Sequence, residues 1–195
     1  MNRTLSLAAF AILEPGSDPD VSFVPPLVRR RLSPLQKIYF ALANAVGGEV
    51  PKNVVFACRD GEDTLTRRLV EGFHEDGSVS PNRFSTSVYN AAPGLWSIQT
   101  INRNPYTAIA AGEDTIECGL IEMLAARPAL HVYAEETGGG YGAAAFFSED
   151  AQARQIQMTN GDPSRASVSF RDWVDFLSGR RHELCGRWLT LRDIG

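Results

Sequence analysis

Two short, uniformly apolar runs constrain this chain more than any other feature: VVFAC at 54–58 and LHVYA at 130–134. Neither alternates polar with apolar residues, so a strand at either place must be covered on both faces. That is the condition of a central parallel strand between two helical layers. Helical signals surround both runs. Ser33-Pro34 supplies an N-cap and the favoured first helical residue, Leu35, Ile38, Tyr39, Leu42 and Val46 recur at helical spacing, and Gly47-Gly48 closes the segment. Another helix is predicted over Thr64 to Phe73. From Ser80 to Leu124 the chain reads as a turn, a buried helix over Ser85 to Ile101, a short strand from Thr107 to Gly112 and a second apolar helix. The chain has 195 residues, 44% of them hydrophobic and 22% charged, with no run long enough to span a membrane, so one globular domain over residues 1–195 is expected.

The flanks fit the same plan. Arg3 followed by LSLAAFAIL could pass for a short signal-peptide core, but no A-x-A-like pattern closes it and Glu14-Pro15-Gly16 is turn chemistry. A first strand buried on both faces, in a cytoplasmic protein, is the preferred reading. Residues 14–26 are rich in Pro, Gly, Ser and Asp and should be irregular. After LHVYA, Glu135-Glu136-Thr137 and the glycines 138–140 lack both the GK[ST] ending and the G-x-G-x-x-G spacing of a phosphate loop. They read instead as a flexible link to a hairpin of Ala143–Phe147 and Ala153–Met158, turning at Ser148-Glu149-Asp150. Ser169 caps a short helix burying Phe170, Trp173, Val174 and Leu177, and a last strand runs from Leu184 to Leu191 with Trp188 on it. The expected class is α/β, with a mostly parallel sheet and helices on both faces.

In such folds reactive groups gather where a strand turns into a helix at its carboxyl end. Here that elbow is Ala110-Ala111-Gly112, with no atom able to form or break a bond. Other candidates are thin. Arg59, Asp60 and Glu62 follow VVFAC and read as caps and solvated ion pairs. Cys58 and Cys118 sit in apolar sequence as structural thiols. Cys185 lies near His182, which makes a Cys/His pair formally possible, while His74 and His131 join no cluster. The three cysteines are too scattered for a disulfide framework or a zinc site, and no cofactor or metal is expected. A net charge of −4, with Arg29-Arg30-Arg31 as the one basic cluster, argues against nucleic acid.

Taken together, the run RRRLSP, the strand VVFACRDGE, SP-x-x-FS-x-SV-x-NA-x-x-GLWSI, T-x-IAAGEDT, GLIE, and the tail F-x-x-W-x-x-FLSG with a terminal W-x-x-x-R resemble the small beta-ketoacyl synthase-like family of chain-length-factor proteins. These are similar to the N-terminal half of a thiolase-fold ketosynthase and accompany type II polyketide or aryl polyene assembly systems. The resemblance implies a truncated thiolase-like half-fold that pairs with an active ketosynthase and forms part of the wall of its acyl tunnel, the acyl chain arriving on an acyl carrier protein. A ketosynthase holds its acyl thioester on a Cys at the elbow, where the helix N-terminus lowers the thiolate pKa, and takes two His from its second half. This chain has Ala111 and Gly112 at the degenerate elbow and resembles only the first half.

The resemblance also implies which residues meet the partner. The family strand matching Thr107 to Ala111, here including Ile109 and Ala110, pairs with its counterpart across the dimer, and the helix matching Ser85 to Ile101 packs over the same boundary. Phe84, Val88, Tyr89, Asn90, Leu95, Trp96 and Ile98 are thereby expected at the partner face and tunnel, with Phe84 and Tyr89 as gates. Without the resemblance, these side chains suit an interface and this subunit's own core equally. An autonomous hydrolase or acyltransferase using Cys185 and His182, or Asp60 and Glu62, is the alternative, and a homodimeric scaffold is a third.

Overall fold

The computed structural model describes residues 2–46 and 53–195. Among them, β1 spans Asn2–Leu13, β2 Asn53–Ala57, β3 Tyr106–Ile109, β4 Ala129–Glu135, β5 Tyr141–Ser148, β6 Arg154–Asn160, β7 Glu183–Cys185 and β8 Leu189–Asp193. These strands form one sheet in the order β3-β2-β4-β5-β1-β6-β8-β7. The helices are α1 Pro26–Arg29, α2 Pro34–Ala45, α3 Asp63–Asp76, α4 Pro81–Thr86, α5 Ala91–Thr100, α6 Thr115–Ala126 and α7 Phe170–Leu177.

Both apolar runs become adjacent central strands, paired in parallel as Val54↔Leu130 and Val55↔His131. Side chains alternate across a strand, so β2 feeds two cores. Val54 and Phe56 face Leu35, Tyr39, Phe40 and Trp96 from α2 and α5. Val55 and Ala57 face Leu120 and Met123 of α6 together with Trp173 and Phe176 of α7. Helices therefore cover both faces, as expected. The α2 start is the expected one: Ser33 Oγ accepts the Gln36 N–H, and the Ser33 N–H donates to Gln36 Oε1 at 3.0 Å, a reciprocal capping box. The stop signal Gly47-Gly48 lies outside the described residues.

Four expectations are corrected. The sheet is mixed, not mostly parallel: only β3-β2 and β2-β4 run parallel, and every other pairing is antiparallel. The cause is the glycine run. Gly138, Gly139 and Gly140 all have positive φ, a backbone that lets β4 double straight back into β5 without a crossover helix. Second, the expected hairpin of residues 143–147 and 153–158 does not form, because β1 lies between those strands and pairs antiparallel with both. The polar break at Ser148-Glu149-Asp150 steps the chain over β1 instead of reversing it. Third, β1 is buried only around Leu5 and Leu7, while Phe10 is exposed. Leu5 and Leu7 pack into the cluster of α6 and α7; past the register shift between Leu7 and Ala9, the small residues Ala9 and Ala11 turn with Leu13 to the α2 side, where they are only half-buried. Fourth, the predicted last strand is two strands, β7 and β8, joined by a turn at Gly186-Arg187-Trp188 that leaves Trp188 half exposed.

Candidate functional site: an elbow without a nucleophile

β3 is four residues long and forms an edge of the sheet, shorter than the expected Thr107–Gly112 strand. Beyond Ile109 the chain leaves β2 and turns through Ala110, Ala111 and a 3-10 turn at Gly112–Asp114 into α6. Thr115, almost wholly buried, braces this elbow: the Ala111 N–H donates to its Oγ1 at 3.0 Å, and that hydroxyl donates to the Gly112 carbonyl at 2.7 Å. Gly112 adopts φ 58° and would direct a side chain into open space. The turn is braced by hydrogen bonds, and what it presents is backbone and methyl groups.

Tyr89 holds the elbow from below. Its hydroxyl lies between the carbonyls of Cys58 and Ile109, the last residues before β2 and β3 turn away, and accepts the Cys58 N–H at 3.1 Å. Its ring fills the space beside Gly61. Packing of this kind also breaks the expected Ser85–Ile101 helix, since the chain must dip at Ser87–Asn90 to deliver Tyr89 to the strand ends, leaving α4 and α5 separate.

The other reactive candidates are disarmed by their surroundings. Burial, then the nearby Glu135 carboxylate, pushes the Cys58 thiol far above its ordinary range, and its Sγ sits 3.4 Å from Glu135 Oε2. Cys118 is raised by burial and then by Asp114 and Glu117, opposite to what a nucleophile needs. His182 is exposed, with Nδ1 3.7 Å from Asp193 Oδ2, and Cys185 lies three residues along β7, where alternation turns its side chain to the other face. The structure does not bring this pair together. Among the described residues no cluster of His, Cys, Asp or Glu could hold a metal, and no helix is long and apolar enough to cross a membrane.

The β2–α3 loop corrects another expectation. Asp60 does form a surface pair with Arg59 at 3.0 Å. Glu62, however, is buried, with Oε1 accepting from Gln36 Nε2 at 2.7 Å and Oε2 without a partner. Burial pushes its carboxyl up to about 7. The signal was charge density, which does not report that the start of α2 closes over this one carboxylate. A carboxyl raised in the fold contributes stability that is complete below its unfolded value of 4.5 and is lost as pH rises through about 7. Glu62→Gln should therefore raise the melting temperature at pH 8, by an amount corresponding to about 2 kcal/mol, and the gain should vanish by pH 5. A pH-independent difference would contradict this assignment. His131 has the opposite sign. Wholly buried, with neither ring nitrogen hydrogen-bonded, it is pushed down to about 3, so its stability is complete above 6.5 and lost as pH falls towards 3.

The residues expected at a partner face divide. Trp96 is buried edge-on against Phe40, with ring centroids 5.1 Å apart, inside this subunit's core. Leu95 is half-buried against the same cluster. Phe84, Val88 and Asn90 are exposed, Asn90 Nδ2 lying 3.5 Å from the Tyr106 hydroxyl, while Thr107, Ile109 and Ala111 are half-buried and Ala110 is exposed. Sequence reasoning missed Ile101, 77% exposed beside Ile98 at 76%, together with Tyr106 and, on α3, Val70 and Phe73. The i, i+3 spacing of Ile98 and Ile101 could have found the first. Neither α3 nor α4 buries a single residue.

Comparison with known proteins decides the family. Residues 7–138 match the family model for the beta-ketoacyl synthase N-terminal domain. The chain belongs to that family. No curated protein sequence matches it. Among solved structures, this beta-ketoacyl synthase domain is similar to a chain of the complex of the ketosynthase ApeO with its chain length factor ApeC from Xenorhabdus doucetiae: TM-score 0.78, 17% identity, covering 97% of this chain and 98% of that one. It is also similar to the ishigamide ketosynthase/chain length factor, with TM-score 0.60, 13% identity and coverage of 83% and 69%. The thiolase-like half-fold expected from the sequence is thus the fold observed. In this beta-ketoacyl synthase domain Ala110, Ala111 and Gly112 form the turn between β3 and α6.

Proposed function

We propose that this chain is a catalytically silent chain-length factor: it forms a heterodimer with an active beta-ketoacyl synthase and shapes that partner's acyl tunnel. The observation carrying this reading is the braced elbow with no nucleophile. Thr115 and Tyr89 hold the turn by hydrogen bonds, and no side chain able to act as a nucleophile stands on it. The partner face supports it. Among the described residues β3 has no strand on its outer side, and Tyr106 on it, with Phe84, Val88, Ile98 and Ile101 from the α4–α5 stretch before it, are exposed apolar side chains of the kind that mark an interaction surface. The likeness to chains in ketosynthase/chain-length-factor complexes favours the same reading. The setting would be cytoplasmic assembly of a polyketide, aryl polyene or fatty-acid-like chain on an acyl carrier protein, which reaches this subunit through its partner.

Of the two gates expected from the sequence, Phe84 is the better candidate. Its side chain is free, whereas the Tyr89 hydroxyl is tied to β2 and β3. Replacing Phe84 by Ala would lengthen a dry pocket by room for one or two methylenes, each worth about 0.8 kcal/mol when buried.

Co-expression with the ketosynthase from the neighbouring gene tests the heterodimer. A 1:1 complex should elute as one species on size exclusion and elongate acyl thioesters, and the double variant Ile98→Asp/Ile101→Asp should lower the affinity at least 100-fold while this chain keeps its circular dichroism spectrum. Thioester turnover by this chain alone, lost on replacing one of its cysteines, would overturn the reading.

A further inference from the structure

Residues 63–86 carry two helices, α3 and α4, and neither buries a single residue. The neighbour that α3 meets most is α4, not a strand of the sheet. A segment with so little buried surface opens more easily than the core beside it. What holds this one lies at its ends, and both ends come to one group. Gln36 Nε2 donates to Glu62 Oε1 at 2.7 Å, just before α3, and to the Thr86 carbonyl at 3.1 Å, where α4 stops. An amide has two N–H donors, and both are spent here. Gln36 is itself fixed: it is buried, and its Oε1 accepts the Ser33 N–H in the capping box of α2. One side chain therefore clasps the whole segment to the body of the protein, helped by the Thr64 N–H, which donates to Glu136 Oε1.

Glu62 is the ionisable half of the clasp. It is 3% exposed, and its Oε2 meets no donor. Burial, and after it the Glu136 carboxylate from beyond β4, disfavour its charge, against the Ser33 hydroxyl and the Gln36 amide from α2; no cation acts on it. A carboxylate formed here faces a second carboxylate with one oxygen unpaired, so losing the proton favours carrying Glu62 out to water. The backbone allows that movement. Gly61, with φ 68°, stands immediately before Glu62, and Ser87 and Val88 lie outside both α4 and α5. Tyr89, bonded to the ends of β2 and β3, marks where the fixed part of the chain resumes.

We propose that residues 63–86 form a lid that opens as one unit about Gly61 and Ser87, latched by the Gln36 clasp and released when Glu62 gives up its proton. The closed lid raises the Glu62 carboxyl to about 7 from an ordinary 4.5, so the latch has its full strength below 4.5 and loses it as pH rises through about 7. Phe84 rides on this lid, in α4, so under the proposed function its opening would move the gate. The latch itself is a property of this chain alone and does not rest on that function.

Hydrogen–deuterium exchange of the full chain, read by mass spectrometry at pH 5.5 and pH 8 with the intrinsic chemical rates divided out, tests the lid. The amides of α3 and α4 should exchange ahead of those of α2, β2 and β4, and their protection should fall together by about ten-fold or more between the two pH values. In Glu62→Gln that fall should disappear, and Glu62→Met, also uncharged, supplies the same comparison if the amide variant does not fold. Protection of α3 and α4 equal to that of α2 and β4, a loss in α3 without one in α4, protection in the unaltered chain that does not change with pH, or a pH dependence that survives the uncharged variants would each overturn it.

Discussion

Glu117→Ala should destabilise this fold more than any other single truncation. Glu117 is fully buried in the first turn of α6, and its two oxygens accept four backbone N–H groups: Val168 at 3.0 Å, Arg187 at 3.2 Å, Trp188 at 2.7 Å and Leu189 at 3.1 Å. One side chain thereby ties the β7–β8 turn and the approach to α7 onto the helix that leaves the elbow. Gly186 packs so tightly here that an added Cβ would lie 2.5 Å from Glu117 Oε2, so the turn is fitted closely around the carboxylate. If each orphaned N–H costs about 1 kcal/mol, the low end of the range for buried donors, the loss is about 4 kcal/mol. That is a large share of the 5–15 kcal/mol typical of a whole domain. Urea unfolding followed by tryptophan fluorescence should show it, with Glu117→Gln intermediate because one oxygen remains an acceptor. A loss below about 1.5 kcal/mol would mean that the turn finds other acceptors.

The second large effect is expected at Gly119. A Cβ there would stand 2.6 Å from His131 Nε2 and 2.9 Å from the Ala57 Cβ, closer than real side chains approach. His131 cannot swing aside, since it is wholly buried in the central strand β4 with Trp173 edge-on at 6.1 Å. Overpacking of this kind costs about 1–3 kcal/mol, and here helix α6 must lift from β2 to relieve it, dragging the elbow with it. Gly119→Ala should therefore lower the melting temperature and also weaken the partner complex. The pairing is testable by a double-mutant cycle. His131→Ala leaves a cavity and is destabilising alone, yet combined with Gly119→Ala it should give a smaller loss than the sum of the two, because the new methyl enters the vacated space. Strict additivity would show that the contact with His131 is not what excludes a side chain at position 119.

These two positions help the elbow keep its shape. Glu117, Gly119 and Thr115 lie within the first turns of α6 and lock that helix to β2, β4 and the carboxy-terminal hairpin. Under the proposed function, a subunit that shapes a neighbour's tunnel needs a rigid wall as much as a catalyst does, and packing residues such as these supply it.

Much of this was written in the chain locally. The VVFAC and LHVYA runs announce central strands because burial on both faces removes the polar half of the usual alternation, Ser33-Pro34 and Ser169 announce helix starts because a hydroxyl must satisfy the first free N–H groups, and the absent nucleophile at Ala110–Gly112 is a matter of composition alone. Those properties depend on neighbours a few residues away. The rest depended on partners distant in sequence. That β1 would slide between β5 and β6, that Glu62 would be closed over by α2, that Trp96 would turn into the core while Ile98 and Ile101 stay outside, and that Glu117 would collect amides from residues 168 and 187–189 are all consequences of contacts spanning tens to over a hundred residues. A strand's pairing and a carboxylate's burial are set by which segments arrive beside it, so only the folded chain could decide them.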